Sequence, residues 1–348
     1  MEIKTKIMKK TLLAVLMMVG IGLAVQGQEP RRVLWIGNSY TDANNLPQLT
    51  QKIAESMGDR FEYTANTPGG CTFEGHCRNN SMALIREGGW DVVVLQAQSQ
   101  EPSFPQWQVE AETFPFAQQL VEAVYAYNDS TVEPMFYMTW GRKNGDAQNA
   151  REYPPLATYE GMDSLLYERY MYMGRSYDAS VCPVGRVWHM LRHEHSDIEL
   201  YQGDGSHPSM LGSYAAACSF YVMFFGGDPT RIEFDAELDR EQARTIRGVV
   251  KTVVYDSLDF WKRQQIAPPD TIPDTIPDTI PTPPIGIEEI VRGEEPLTGP
   301  FVLYNILGRP VWEGIEAELF DIGTAPLPKG IYILRSKRTG AGKKVVKM

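Results

Sequence analysis

Cysteine is scarce in this 348-residue chain, which holds four. Cys71, Cys77, Cys182 and Cys218 are too few to staple a disulfide scaffold. In an oxidising compartment they allow one or two bridges, and the closeness of Cys71 and Cys77 leaves two readings open, a bridge or a pair of buried free thiols. Positive charge is also short, since 33 Lys and Arg face 44 Asp and Glu for a formal net charge of -11. A surface of that sign disfavours nucleic acid and anionic membranes as partners. Long apolar runs are missing past the first residues: only Thr11–Val25 approaches the roughly 20 residues of a membrane span, and it falls short. No transmembrane segment is expected in the mature chain.

The apolar run follows Lys4, Lys6, Lys9 and Lys10 and precedes the small residue Gly27, the three-part layout of a signal peptide over residues 1–27. Without those residues, which carry four Lys and one Glu, the charge is about -14. The expected location is therefore outside the cytoplasm, secreted or on the cell surface by way of the periplasm. A second boundary lies at "APPDTIPDTIPDTIPTPP", where Asp-Thr-Ile-Pro recurs three times. Proline at every fourth position removes backbone donors and disfavours helix, so residues 267–284 read as an extended tether. It separates a domain of residues 28–266 from a module of residues 285–348.

In the larger domain, strand-like runs at Val33–Ile36, Phe61–Thr64, Val92–Gln96, Met135–Thr139 and Ser180–Val184 alternate with helical patterns. The helices are expected over Leu46–Ser56, Phe114–Tyr127, Asp163–Tyr177 and Glu241–Gln264. "DVVVLQ" is continuously apolar, as a strand covered on both faces must be. Such alternation predicts an α/β fold with a parallel sheet between two helical layers. Its chemistry is expected at the carboxyl ends of the strands. The smaller module reads as short strands between Gly and Pro turns, has a basic tail, and contains neither His nor Cys.

Four stretches at those strand ends carry candidate chemistry. In "GNSYT", Ser39 follows the first strand and precedes a helix, where its hydroxyl is either displayed or merely part of a turn. In "DGSHPS", Asp204 stands three residues before His207, and Pro208 is expected to open a helix. An aspartate so placed can accept the imidazole Nδ1 proton and leave Nε2 free to deprotonate a serine. The glycines of "NTPGGCTF" let a backbone N–H approach a ligand. "LQAQSQEP" places Gln96, Gln98 and Gln100 around the end of the third strand. An acyl-transfer site needs such donors for a developing oxyanion.

The order of these stretches, across about 230 residues from Val33 to Trp261, resembles the four motif blocks of the SGNH (GDSL-like) hydrolase superfamily. That resemblance implies a flavodoxin-like three-layer α/β/α sandwich and a cofactor-free serine ester hydrolase. It implies Ser39 as nucleophile, Asp204 and His207 as acid and base, and an oxyanion hole from the N–H groups of Ser39 and Gly70. The third block departs from the family's Gly-x-Asn-Asp, since this chain has Ala97-Gln98-Ser99-Gln100. Gln98 falls where the asparagine would be, with Ser99 as a stand-in, and a subgroup of secreted bacterial proteins with Gln-Ser there is the nearest in pattern. The small module, with "VLYNILGRPV", "LPKGIYILR" and "GKKVVKM", resembles the type IX secretion sorting domain of Bacteroidetes-type bacteria. Its implied fold is β-sandwich-like and its implied partner is an outer-membrane secretion machine.

The expected substrate is a small acyl ester, an acetylated carbohydrate in particular. Asn38, Trp140 and Arg142 are expected to border its pocket, as is Trp107 more weakly, because aromatic rims hold sugar faces. The altered third block keeps open a second reading, a surface carbohydrate-binding protein with a degraded site. A third is a metal-dependent hydrolase using His189, His193 and His195, whose spacing is helical. The zincin pattern is absent there, "VCPVGRVWHML" reads better as a strand and turn, and no metal is assigned.

Overall fold

The computed structural model describes residues 29–263, 301–305, 310–314, 330–336 and 342–347. The expected signal peptide and the Asp-Thr-Ile-Pro tether lie outside the described residues. The described residues fall into two compact units, one on each side of the Ile266–Ala267 boundary. Among them no helix is long and apolar enough to cross a membrane.

The first unit is built on strands β1 (Arg31–Ile36), β2 (Phe61–Asn66), β3 (Val92–Leu95), β4 (Glu133–Tyr137) and β5 (Ser180–Cys182). All pairings are parallel and the order is β2-β1-β3-β4-β5, the flavodoxin-like arrangement. Val92 to Leu95 are wholly buried, because a central parallel strand is covered on both faces.

The helices are α1 (Ser39–Asp42), α2 (Leu46–Ser56), α3 (Phe73–Arg78), α4 (Ser81–Glu87), α5 (Gln106–Glu112) and α6 (Phe114–Tyr127), then α7 (Tyr159–Ser176), α8 (Val184–Glu194), α9 (Met210–Phe225), α10 (Arg240–Val253) and α11 (Leu258–Trp261). Helix α9 packs on α2, α8 and α10, while α3, α4 and α7 pack on α6, giving the two helical layers. Helix α9 is apolar almost all round and buried accordingly. Its Phe220 and Phe224 meet the Trp35 ring edge-on, with centroids 4.6 and 5.8 Å away. Truncating Phe220 to alanine would remove about 3–5 kcal/mol of packing.

Beyond shifts of a few residues at strand and helix ends, two elements differ from the sequence reading. Strand β5 stops at Cys182 and "VCPVGRVWHML" continues as α8, because Pro183 cannot extend a ladder. The buried residues Val184, Val187, Trp188 and Leu191 have the i, i+3, i+4, i+7 spacing of a helix. The last predicted helix is broken at Tyr255–Ser257 by a 3-10 turn that lets Trp261 Nε1 donate to Val253 O at 2.7 Å. Cys71 and Cys77 are free thiols, as are Cys182 and Cys218. The Cys71 sulfur donates to Thr72 O and that of Cys77 to Phe116 O, so each faces its own partner rather than the other.

In the second unit, β6 (Phe301–Asn305), β7 (Pro310–Gly314), β8 (Gly330–Ser336) and β9 (Gly342–Lys347) form one antiparallel sheet of order β7-β6-β8-β9. A sandwich-like module is the sequence expectation; the described residues form this single sheet. Leu303 is paired with Leu334 across β6 and β8, and both are buried.

Candidate active site

The strand order reverses direction between β1 and β3, and ligands of such sheets bind outside the carboxyl ends at that point. Strand β1 delivers Gly37, Asn38 and Ser39 there. A Cβ on Gly37 would lie 2.4 Å from Thr41 Oγ1 and 2.8 Å from Gln96 Oε1, so only glycine fits. Asn38 caps α1, its Oδ1 accepting from Tyr40 N at 3.1 Å. Ser39 is thereby the first helical residue, whose N–H has no partner inside the helix.

His207 arrives from the segment between α8 and α9. Its Nε2 is 2.8 Å from Ser39 Oγ and its Nδ1 is 2.5 Å from Asp204 Oδ2. The other carboxylate oxygen accepts from Ser206 N at 2.9 Å and His207 N at 3.0 Å. Burial opposes the charge of Asp204, but the imidazole and these two N–H groups hold its carboxyl below the usual range. An anionic Asp204 accepts the hydrogen bond from Nδ1–H, so Nε2 is the acceptor for the serine hydroxyl. The helix after the loop starts at Met210 with Ser209 as cap, so Pro208 precedes it rather than opening it. Asn44 Nδ2 binds Pro208 O, Ser209 O and Ser213 Oγ at 3.1, 3.1 and 2.8 Å, fastening the His207 loop to the Ser39 segment.

Gly70 has φ +67, a left-handed conformation that glycine adopts freely. Neither Ser39 N–H nor Gly70 N–H donates to a backbone carbonyl among the described residues, and both remain available to an oxyanion.

The third loop differs from the expectation. Gln98 Oε1 accepts from Gln100 N at 2.7 Å and Glu101 N at 3.1 Å, while its Nε2 donates to Gln100 Oε1 at 3.2 Å. Its amide is engaged in its own turn, because a side chain one methylene longer than asparagine reaches back to the following N–H groups. Ser99 is also turned inward, buried beside the Tyr40 hydroxyl. Gln96, grouped in the sequence reading with Gln98 and Gln100 as an amide at the strand exit, has a bracing role. Its Oε1 accepts from Asn38 N (3.0 Å) and Thr41 Oγ1 (2.8 Å), and its Nε2 donates to Asn38 Oδ1 (2.9 Å). Asn38 Nδ2 in turn donates to Cys71 O (3.2 Å) and Ala97 O (3.3 Å). Asn38 is buried and braces the loops after β1, β2 and β3 instead of touching substrate.

Trp140 is also not at a rim, being 0% exposed. It stacks on Tyr40 at 4.8 Å and on Trp188 at 3.7 Å, and its Nε1 donates to Ser206 O at 3.1 Å. A flat aromatic column thus supports the His207 loop from below. Tyr40 completes it, with its hydroxyl 2.6 Å from Ser206 Oγ and its ring edge-on to His207 at 5.3 Å. Arg142 is half-buried and bound to Asp146. Trp107 is 68% exposed on α5.

Beneath the site, His76 bridges Gly37 O at 2.9 Å and Ser81 Oγ at 2.8 Å. A carbonyl only accepts, so Nε2 carries the proton and Nδ1 accepts from the serine hydroxyl. Burial pushes this imidazole down to about 4, which keeps it neutral. Glu101 is pushed up to about 7 by burial and then by Glu112 and Glu74.

His189 and His193 lie one turn apart on α8 with ring centroids 4.4 Å apart. His189 Nδ1 is 2.9 Å from Asp163 Oδ2. They border a cavity of about 910 Å³ that includes no residue of the Ser39 site, and volume alone does not make chemistry. Among the described residues no group of three or more His, Cys, Asp or Glu is placed to hold a metal.

No protein-family model and no curated protein matches the chain. Among solved structures it is similar to a DUF4886 family protein from Bacteroides uniformis, with TM-score 0.57 and 16% identity, covering 68% of this chain and 98% of that one. It is also similar to a candidate SGNH hydrolase from Slackia heliotrinireducens, with TM-score 0.45 and 26% identity, covering 56% and 98%. A third is a carbohydrate esterase family 3 protein from Talaromyces cellulolyticus, with TM-score 0.39 and 13% identity, covering 56% and 96%. The first likeness is one of fold.

Proposed function

We propose that the chain is a secreted serine esterase that hydrolyses small acyl esters, with acetylated carbohydrate as its substrate class. The observation that carries this reading is the unbroken relay from Asp204 through His207 to Ser39, at 2.5 and 2.8 Å. His207 Nε2 takes the hydroxyl proton as Ser39 Oγ attacks the acyl carbon. Asp204 holds the imidazole tautomer and stabilises the imidazolium. The N–H groups of Ser39 and Gly70 receive the oxyanion, and His207 returns the proton to the departing alcohol. Water, deprotonated by His207, then releases the acid. No step needs a cofactor. Release of 4-nitrophenol from 4-nitrophenyl acetate tests the reading: the wild type should turn over, and a Ser39→Ala protein as active as wild type would overturn it.

The turned-in Gln98 favours a second reading, a carbohydrate-binding protein with a weakened site, because one missing oxyanion donor costs on the order of 10²–10³ in turnover. An organophosphonate separates the two: an esterase is labelled at Ser39, whereas a binding protein without an activated serine stays unlabelled. We assign residues 285–348 to sorting through an outer-membrane secretion machine. Their deletion should leave the protein in the periplasm, as fractionation would show.

A further inference from the structure

Arg142 follows β4, the neighbour of β3 in the sheet, and so stands next along the edge from the Gln96–Glu101 loop. The following residue, Lys143, donates its backbone N–H to Gly205 O at 2.8 Å, which places Arg142 against the acid–base loop. Its guanidinium lies beside the Tyr40 hydroxyl, and Tyr40 directly follows the nucleophile.

The side chain is held from behind by Asp146, which is 0% exposed. Asp146 does not depend on Arg142 for its partners. Its oxygens accept from Gln100 Nε2 at 2.6 Å, Asn149 Nδ2 at 2.7 Å and Gln148 N at 3.2 Å, and the Arg142 contact, at 3.3 Å, is the longest. The neutral amides thus satisfy most of the carboxylate's hydrogen bonds, and Arg142 supplies the counter-charge through one nitrogen, Nη1. Its side chain is 26% exposed, and its Nε is buried with no hydrogen-bond partner. A guanidinium has five donors in a fixed fork that matches a carboxylate. An unpaired buried donor in such a fork needs an explanation.

We propose that Arg142 is a specificity-determining residue that binds a carboxylate on the alcohol part of the ester, so that the preferred substrate is an O-acylated acidic sugar or other hydroxy acid. The inference rests on the serine-esterase reading and narrows its substrate class. The alcohol part is indicated because His207, whose loop Arg142 adjoins, protonates the leaving alcohol. A carboxylate is indicated because the guanidinium is pre-placed, so binding forfeits little side-chain entropy.

The test compares 4-acetoxybenzoate with its neutral methyl ester, which differ only in the carboxylate. In the wild type the ratio of kcat/KM, acid over neutral, should fall about thirty-fold in Arg142→Gln, mostly through KM, with Arg142→Lys in between. A ratio unchanged in Arg142→Gln, with both esters losing equally, would mean a structural role and overturn the proposal. The unreactive amides 4-acetamidobenzoate and its methyl ester supply a second readout by calorimetry. Tighter binding of the acid, lost in Arg142→Gln, supports the proposal even if neither ester is hydrolysed, an outcome that would count against the esterase reading alone. Equal binding of the two amides, or binding of neither, overturns it.

Discussion

Two histidine–aspartate pairs stand in this domain, and they differ in what the second ring nitrogen faces. His207 is 2.5 Å from Asp204 and offers Nε2 to Ser39, whose N–H and that of Gly70 are unused. His189 is 2.9 Å from Asp163, but Arg186 binds the same carboxylate oxygen at 3.2 Å and no serine is hydrogen-bonded to the ring. Asp163 is 3% exposed and Asp204 is exposed. The buried Asp163 with its two partners ties α7 to α8; the open Asp204–His207 pair has a serine hydroxyl at its far nitrogen. A dyad acquires chemistry from its third neighbour.

The largest contrast comes from removing that neighbour. Ser39→Ala should lower esterase kcat by about 10⁴–10⁶, while His189→Ala should stay within about three-fold, measured on the same ester. Changing the acids comes next. Asp204→Asn should cost on the order of 10³–10⁴ in kcat with little change in melting temperature, because the tautomer is lost and the group is exposed. Asp163→Asn should do the reverse, destabilising by about 3 kcal/mol in urea titration by leaving Arg186 short of its counter-charge, with kcat little changed. Smaller still is the difference between two neighbouring glutamines. Gln96→Ala strands Asn38 N and Thr41 Oγ1 and should destabilise by about 1–3 kcal/mol with a loss of kcat, whereas Gln98→Ala opens only an exit turn and should lose less of both.

Stability also depends on pH. The His76 imidazole lies at about 4 in the folded chain and about 6.5 when unfolded. The unfolded chain binds the extra proton between those values, so stability is full above about 6.5 and falls as pH drops toward 4, by at most about 3 kcal/mol. His76→Gln should flatten that part of the urea-derived stability curve. Glu101, raised to about 7, runs the other way: its contribution is intact below about 4.5 and fades as pH rises through 7.

The sheet and the meeting of Ser39 with Asp204 and His207 were readable because each depends on local pattern: apolar β1 and β3, a glycine where no Cβ fits, and Asp204 three residues before His207. Gln96 was read only as one of three amides at the strand exit, because the partners it braces, Asn38 and Thr41, are more than fifty residues away in sequence, and only the pairing of β1 with β3 brings them near. Trp140 was misplaced for the same reason. A tryptophan at a strand exit points to a rim or a core according to what stacks on it, and Tyr40 and Trp188 come from other segments. The short gap between Cys71 and Cys77 said nothing of where α3 would aim their sulfurs.

Asn38 leaves one mark on how the protein fails. Its single side chain joins the exits of β1, β2 and β3, so none of those loops can loosen alone without stranding a buried amide. Loss of activity on heating should therefore coincide with melting of the whole domain, with no earlier phase in which the fold persists and the catalyst is already gone.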